Sequence, residues 1–385
     1  MKLLVAPDSF KECMDAFSVA DAIARGLRLG IHGPLEVICR PLADGGEGLM
    51  RVLLHALGGE TSAQTVTGPM GISVEASLGL LDNGRTAAIE MAAAAGLHLV
   101  PAAERDPLTA TTRGVGELIR HALDLGVQRV IVGLGGSATN DGGAGMAQAL
   151  GASLRDAAGN ELPPGGAALA RLKTVDLSHL DKRLAAVEII GACDVENTLC
   201  GACGASAVYG PQKGATPENV ALLDSALRHY GGIVTKETGL DLFSLLGGGA
   251  AGGLGAGLAA FTGARLRSGV SLVFDAYGDM DRQAQDADAF FSGEGSVDGQ
   301  TLHGKVVAGV AGLARKHHKP LIVFAGRLRG HPESLYQAGV TAVFPIAPEP
   351  MSTADALANA DTYLAQSAEN VGRLLEQRLE TTGHV

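Results

Sequence analysis

Apolar residues in this chain come in short blocks, each closing on a cluster of glycine and polar side chains. Residues 2–6 form a brief apolar run that stops at Pro7-Asp8-Ser9-Phe10-Lys11, and Val19, Ile23 and Leu27 then recur at helical spacing. Residues 35–39 form a second run, followed by Asp44-Gly45-Gly46-Glu47-Gly48 and by Leu49, Val52, Leu53, Ala56 and Leu57 on one helical face. This alternation predicts a βαβα opening and hence a parallel sheet. It resumes only late in the chain, where residues 289–291 lead into Ser292-Gly293-Glu294-Gly295-Ser296-Val297-Asp298-Gly299-Gln300-Thr301. A helix then carries Val306, Val310 and Leu313 inward, residues 321–325 and 342–346 read as two more strands, and a last helix is expected from about residue 353 to about residue 379. On this reading Lys11 and Lys305 open helices.

Between these pieces the pattern changes. Residues 73–81 and 85–91 flank Asp82-Asn83-Gly84, a sequence suited to an antiparallel hairpin turn. A crossover of that length is not one helix. Two domains are therefore expected: residues 1–65 with 286–385 as a discontinuous parallel-sheet α/β domain, and residues 66–285 as an inserted mixed α/β domain. With strand order 2-1-3-4-5, strands one and three flank the point where the order reverses, which is where open α/β sheets bind ligands. Lys11, Asp298 and Lys305 would converge there, with loops of the insert closing the crevice from above.

Composition narrows the class. Of 385 residues 55 are glycine, about 14% against an average of ~7%, and they cluster in loops rather than following a collagen period. A missing Cβ there lets the backbone approach a ligand or adopt positive φ. A net charge of −11 without a basic tract argues against nucleic acid as a main partner, and no apolar run is long enough to cross a membrane. The N-terminal apolar run is too short for a secretory leader, so a cytoplasmic protein with reduced thiols is expected from its five cysteines. Cys200-Gly201-Ala202-Cys203 lacks the second pair that a zinc site needs.

The polar loops suggest phosphoryl transfer, which needs cations or N–H groups around phosphates, carboxylates for Mg²⁺, and a carboxylate for the attacking hydroxyl. Glycine loops offer N–H groups, Lys11, Lys213 and Lys305 offer charge, and Asp44, Asp194 and Asp298 offer carboxylates. Plainer readings stand beside these: Asp44 as a turn former, and Lys11 and Lys305 as solvated side chains. Gly133-x-Gly135-x-x-Ala138 has the form of a dinucleotide fingerprint, but the pattern recurs from Gly247 and from Gly255, and no Walker-type phosphate loop exists. An NAD(P)-linked hydroxy-acid oxidoreductase is thus a rival; its acidic ribose ligand would have to be Asp156, in a polar turn. A non-catalytic ligand sensor is a second rival.

Taken together, the motifs resemble the bacterial type I glycerate kinase family. The resemblance is carried by the run 6–11, Ala43-Asp44-Gly45-Gly46-Glu47-Gly48, Thr67-Gly68-Pro69, the run 89–93, Gly135-Gly136-Ser137-Ala138-Thr139-Asn140-Asp141-Gly142-Gly143, Cys193-Asp194-Val195, the run 210–215, the run 252–257, and Gly293-Glu294-Gly295 with Gln300-Thr301 and Gly304-Lys305. They follow family order up to about residue 326. The resemblance implies a flavodoxin-like (Rossmann-like) domain interrupted by a second α/β domain. It also implies ATP-dependent phosphorylation of D-glycerate in the cleft between them, typically at the 2-hydroxyl, with 3-phosphoglycerate as the alternative product. Lys11, Asp44, Asp194 and Lys213 are then the catalytic candidates, with Asp194 and Asp298 for Mg²⁺. Asp8, Ser9, Glu47, Ser137, Thr139, Asn140, Asp141, Gln212, Gly293, Glu294, Gln300 and Lys305 complete the expected substrate and phosphate contacts. ATP, Mg²⁺ and a small organic acid are the implied partners, without nucleic acid or membrane; the oligomeric state stays open, a homodimer included. Departures are Thr198 where the family usually has proline, an extra thiol at Cys203, and Cys13-Met14-Asp15 in place of a commoner Ser-Leu-Ser.

Overall fold

The computed structural model describes residues 1–297 and 306–382, so the expected site residues Asp298, Gln300 and Lys305 lie outside the described residues. The chain forms two compact units, Met1–Asp44 with Val270–Val385, and Gly45–Gly269. In chain order the strands are β1 (Lys2–Val5), β2 (Glu36–Cys39), β3 (Gly59–Thr67), β4 (Ser73–Leu81), β5 (Thr86–Glu90), β6 (Arg129–Gly133), β7 (Ser153–Arg155), β8 (Thr174–Asp176), β9 (Glu188–Ala192), β10 (Arg265–Arg267), β11 (Ala289–Val297), β12 (Leu321–Leu328) and β13 (Ala342–Pro345).

The first unit is built on a parallel sheet of order β13-β12-β11-β1-β2. Numbered within the unit this is the expected 2-1-3-4-5, and the order reverses between β1 and β11. Helix Ala16–Gly30 starts where the Asp15 carboxylate accepts from the Ser18 N–H at 2.8 Å, and it buries the predicted face of Val19, Ile23 and Leu27. It lies against helix Ala360–Thr382 so closely that a Cβ on Gly26 would stand 2.1 Å from the Ala365 carbonyl oxygen. Inside the sheet Phe291 stacks on Phe324 at 6.2 Å.

Three expectations for this unit are corrected. β11 runs on through Val297, because its glycine-rich end pairs residue by residue with β12 (Gly293 with Phe324, Glu294 with Ala325) and the Phe10 ring covers Gly293 where a side chain would stand. Lys11 does not open a helix; it sits in a turn ahead of the Asp15 cap. The last helical stretch breaks at Asn359 into Thr353–Ala358 and Ala360–Thr382.

The second unit holds a mixed sheet of order β10-β9-β6-β5-β4-β3, antiparallel from β3 to β5 and parallel from β5 to β10. The hairpin between β4 and β5 turns on Asp82 and Asn83 at φ +50° and +55°, which short polar side chains tolerate. Helix Leu49–Leu57 belongs here, since Met50 and Leu54 cover Gly79 of β4. At the other junction Val270 and Phe274 lie against Gly309 of helix Val306–Lys316. The divisions therefore fall after residues 44 and 269, where 65 and 285 were expected.

Substituting Gly26→Leu should lower stability by about 3 kcal/mol, because its neighbour is a helix carbonyl that cannot step aside. Gly312→Ala, with nothing within 4 Å, should leave Tm unchanged or raise it slightly. Paired thermal melts check both.

Candidate active site

In the first unit the segment after β1, the loop after β2 and the outer half of β11 carry Asp8, Asp44 and Glu294 to the wall of a pocket of about 530 Å³. Asp8 and Glu294 are only 6% and 5% exposed. Asp8 is placed by its own backbone, whose N–H donates to the Gly293 carbonyl at 2.9 Å and so extends the β1–β11 contact past the strand. Its Oδ1 accepts from the Ser9 N–H at 2.7 Å. Burial, then the neighbouring Asp44 and Glu294 charges, push its carboxyl up to about 7, while the Ser9 N–H and Lys11 pull the other way. Lys11 lines the same pocket and is exposed; Glu47 is exposed in the second unit.

The second unit gathers Ser137, Thr139, Asn140, Asp141 and Lys213. Lys213 lies in a single 3₁₀ turn, Pro211–Lys213, and is 1% exposed. Its ammonium donates to Ser137 Oγ at 2.7 Å and to the Thr139 carbonyl at 2.6 Å. Burial drives its pKa down to about 7, with Asp141 opposing that shift. Asp141 Oδ2 accepts from the Thr112 N–H and Oγ1–H at 2.8 and 2.9 Å and from the Gly145 N–H at 3.2 Å, while Oδ1 accepts from the Gly143 N–H at 3.1 Å. Asn140 Nδ2 donates to Ser206 Oγ at 2.9 Å. Among the described residues, Thr139 Oγ1 and Asn140 Oδ1 are buried without a hydrogen-bond partner. The loop is so tight that a Cβ at Gly252, which has φ +70°, would stand 2.0 Å from the Thr139 oxygen.

Asp194 follows β9, half-buried, its Oδ2 accepting from the Gly269 N–H at 2.9 Å. The loop beyond it is held by Asn197, which donates to the Cys203 carbonyl at 2.8 Å and accepts from the Tyr209 hydroxyl at 2.7 Å. Thr198 uses the hydroxyl that a proline would lack to reach the Cys200 carbonyl at 3.2 Å. Gln212 is exposed, and its carbonyl accepts from Arg105 at 3.3 Å. No group of three His, Cys, Asp or Glu side chains suited to a metal ion occurs among the described residues.

The fingerprint from Gly133 opens no helix: residues 134–143 are loop and the next helix starts at Ala144. Asp156 is a turn former, its Oδ1 accepting from the Ala158 and Asn160 N–H groups.

A profile of the glycerate kinase family matches residues 3–376. The chain belongs to the glycerate kinase family. It is 47% identical over 371 residues to the glycerate kinase of Bacillus subtilis strain 168, an alignment spanning 96% of this chain and 97% of that protein. It is 45% identical over 383 residues to the glycerate 2-kinase of Escherichia coli strain K12, across 100% of both. A solved structure described as a glycerate kinase 2 from Salmonella typhimurium LT2 matches with TM-score 0.85 and 49% identity, covering 99% of each chain. The protein is thus a kinase with ATP as phosphoryl donor, and the oxidoreductase and sensor readings fall away. No helix among the described residues is long and apolar enough to cross a membrane.

Sequence reasoning missed four participants in this glycerate kinase family member. Thr112 anchors Asp141, and Glu90 accepts from the Met50 N–H at 2.9 Å and so caps helix Leu49–Leu57 from β5. Arg327, and a wall formed by Ile346, Met351, Leu357 and Tyr363, complete the first unit's pocket. Ala356, Ala360 and Tyr363 stand at helical spacing, which was the available signal.

The raised Asp8 value has a consequence for stability. An unfolded aspartate titrates near ~3.9, so between about pH 4 and 7 the native state keeps a proton that the unfolded chain has lost, and stability falls by up to ~1.4 kcal/mol per pH unit as pH rises. In metal-free buffer Asp8→Asn, isosteric and neutral, should raise Tm by a few degrees at pH 8 and not at pH 4. An equal effect at both pH values would contradict this.

Proposed function

We propose that this kinase transfers the γ-phosphoryl group of ATP to the 2-hydroxyl of D-glycerate, giving 2-phosphoglycerate and ADP. The observation that supports the reading best is the crowding of Asp8, Asp44 and Glu294 in one pocket at the carboxyl ends of parallel strands. Phosphoryl transfer asks the protein for positioned charge rather than covalent chemistry. Three crowded carboxylates repel one another, and the raised Asp8 value is one sign of it; a cation relieves the same repulsion.

The donor set is hard oxygen, which suits Mg²⁺, an ion that keeps several waters and binds through one or two carboxylates plus substrate phosphates. It needs no three-ligand cage. We assign Asp44 and Glu294 to hold it, and when bound it neutralises charge on the β- and γ-phosphates. Lys11 meets phosphate charge at the pocket rim, with Ser9 and the Gly293 backbone beside Asp8. In the second unit Lys213 holds the Ser137–Asp141 loop, whose buried Thr139 Oγ1 and Asn140 Oδ1 retain capacity to bind substrate, and Asp194 orients the acceptor hydroxyl. The five free cysteines suit a reducing compartment, and we place the enzyme in the cytoplasm.

One incubation with D-glycerate, ATP and Mg²⁺, read by proton-coupled ³¹P NMR, tests activity and position together. Phosphate on the secondary carbon couples to one proton and gives a doublet; a triplet would mean the 3-phosphate instead. Asp44→Asn should lower kcat/KM by about 100-fold or more with Tm within a few degrees of wild type, and near-normal turnover would remove Asp44 from the site.

A further inference from the structure

We propose that the apolar wall of the first unit's pocket is the seat of the ATP adenosine, a reading that rests on the kinase assignment above. The pocket is far larger than a three-carbon acid requires, and its ~530 Å³ falls in the range of nucleoside-sized ligands. Its lining combines two chemistries. One group of lining residues is the cluster of Asp8, Asp44 and Glu294; the other is Ile346, Met351, Ala356, Leu357, Ala360 and Tyr363. A small hydroxy acid has no apolar surface to match that wall, whereas a planar heterocycle does, and a tyrosine ring with a methionine side chain is well suited to a flat ring.

The backbone is arranged to make this wall. Ser352 caps helix Thr353–Ala358 by accepting from the Asp355 N–H at 3.1 Å, and the chain then breaks at Asn359 before helix Ala360–Thr382. Ala356, Leu357, Ala360 and Tyr363 stand at i, i+1, i+4 and i+7, one helical face that persists across the break and lines a single cavity. In the same lining a Cβ at Gly326 would stand 2.6 Å from the Gly295 carbonyl oxygen, so β11 and β12 approach the pocket without side chains there. Among the described residues the charged lining is mostly acidic, with Lys11 and Arg327 as its basic members. A bare nucleotide anion is repelled by such a lining, and a nucleotide carrying a divalent cation is not.

The test uses a further property of the chain, which contains no tryptophan. Tyr363→Trp introduces a sole indole into the wall. Its emission should shift in a saturable way with ADP plus Mg²⁺, ADP affinity should fall tenfold or more when EDTA replaces Mg²⁺, and D-glycerate alone should leave the emission unchanged. Leu357→Glu should weaken ADP binding by calorimetry tenfold or more and raise KM for ATP in parallel, with KM for D-glycerate within twofold and with Leu357→Met close to wild type. The proposal is overturned if Leu357→Glu binds ADP as wild type does, or if the indole responds to D-glycerate and not to ADP. Should Leu357→Glu not fold, the emission titration decides alone. Binding is read without turnover, so a chain that seats ADP but leaves glycerate untouched sinks the substrate reading only. A chain that phosphorylates glycerate with ATP kinetics indifferent to Leu357→Glu sinks this proposal only.

Discussion

A carboxylate sealed from water sets the geometry of the second unit. Asp141 is 1% exposed, and a charge in that position is tolerated only when hydrogen bonds and a counter-charge replace the lost solvent. Thr112, Gly143 and Gly145 supply the donors, and Lys213 supplies the opposite charge. The remaining features follow from that requirement. Lys213 is drawn in and tied to Ser137 and to the Thr139 carbonyl, the Tyr230 hydroxyl donates to the Gly142 carbonyl at 3.0 Å, and the turn at Gly252 closes over Thr139 with no room for a side chain. A loop held this firmly is already organised for the substrate contacts proposed for it, which would lower the reorganisation needed when charge develops.

The first unit treats its charges in the opposite way. Asp8 has one backbone donor and two acidic neighbours, and burial together with those neighbours pushes its carboxyl up. If a cation binds there as proposed, the stability given up at Asp8 is restored by the ligand, a common relation between stability and function. The position follows from the sheet: strand order reverses between β1 and β11, and the segment beyond β1 meets the outer half of β11 at that switch.

Much of this was legible in the chain. The faces of Val19, Ile23 and Leu27 and the Asp82-Asn83-Gly84 hairpin depend on local periodicity and turn chemistry, which short stretches of sequence encode. The candidate residues were legible as residue types, since polar side chains follow each apolar run. The outer half of β11 was not, because glycine and serine carry no strand signal of their own; its extension depends on β12 as a partner and on the Phe10 ring as a cover. The domain boundaries were displaced for a similar reason: helix Leu49–Leu57 has an ordinary amphipathic pattern, and nothing in that pattern says which sheet its apolar face will meet.

Taken alone, the sequence determined the family, the parallel sheet and the loops that carry carboxylates and lysines, because these are properties of residues close together along the chain. The tertiary structure decided which of them are buried and what surrounds them. Asp8 and Lys213 both look like ordinary charged side chains in a loop, yet burial, aided at Asp8 by Asp44 and Glu294, moves each to about 7, and the groups around them come from other parts of the chain, such as Glu294 beside Asp8 and Ser137 beside Lys213. The same holds for the apolar wall at residues 346–363: the helical spacing of Ala356, Ala360 and Tyr363 is local, but only the fold sets Ile346 and Met351 beside them on one cavity. Burial and charge crowding are sums over neighbours in space, and no local pattern contains them.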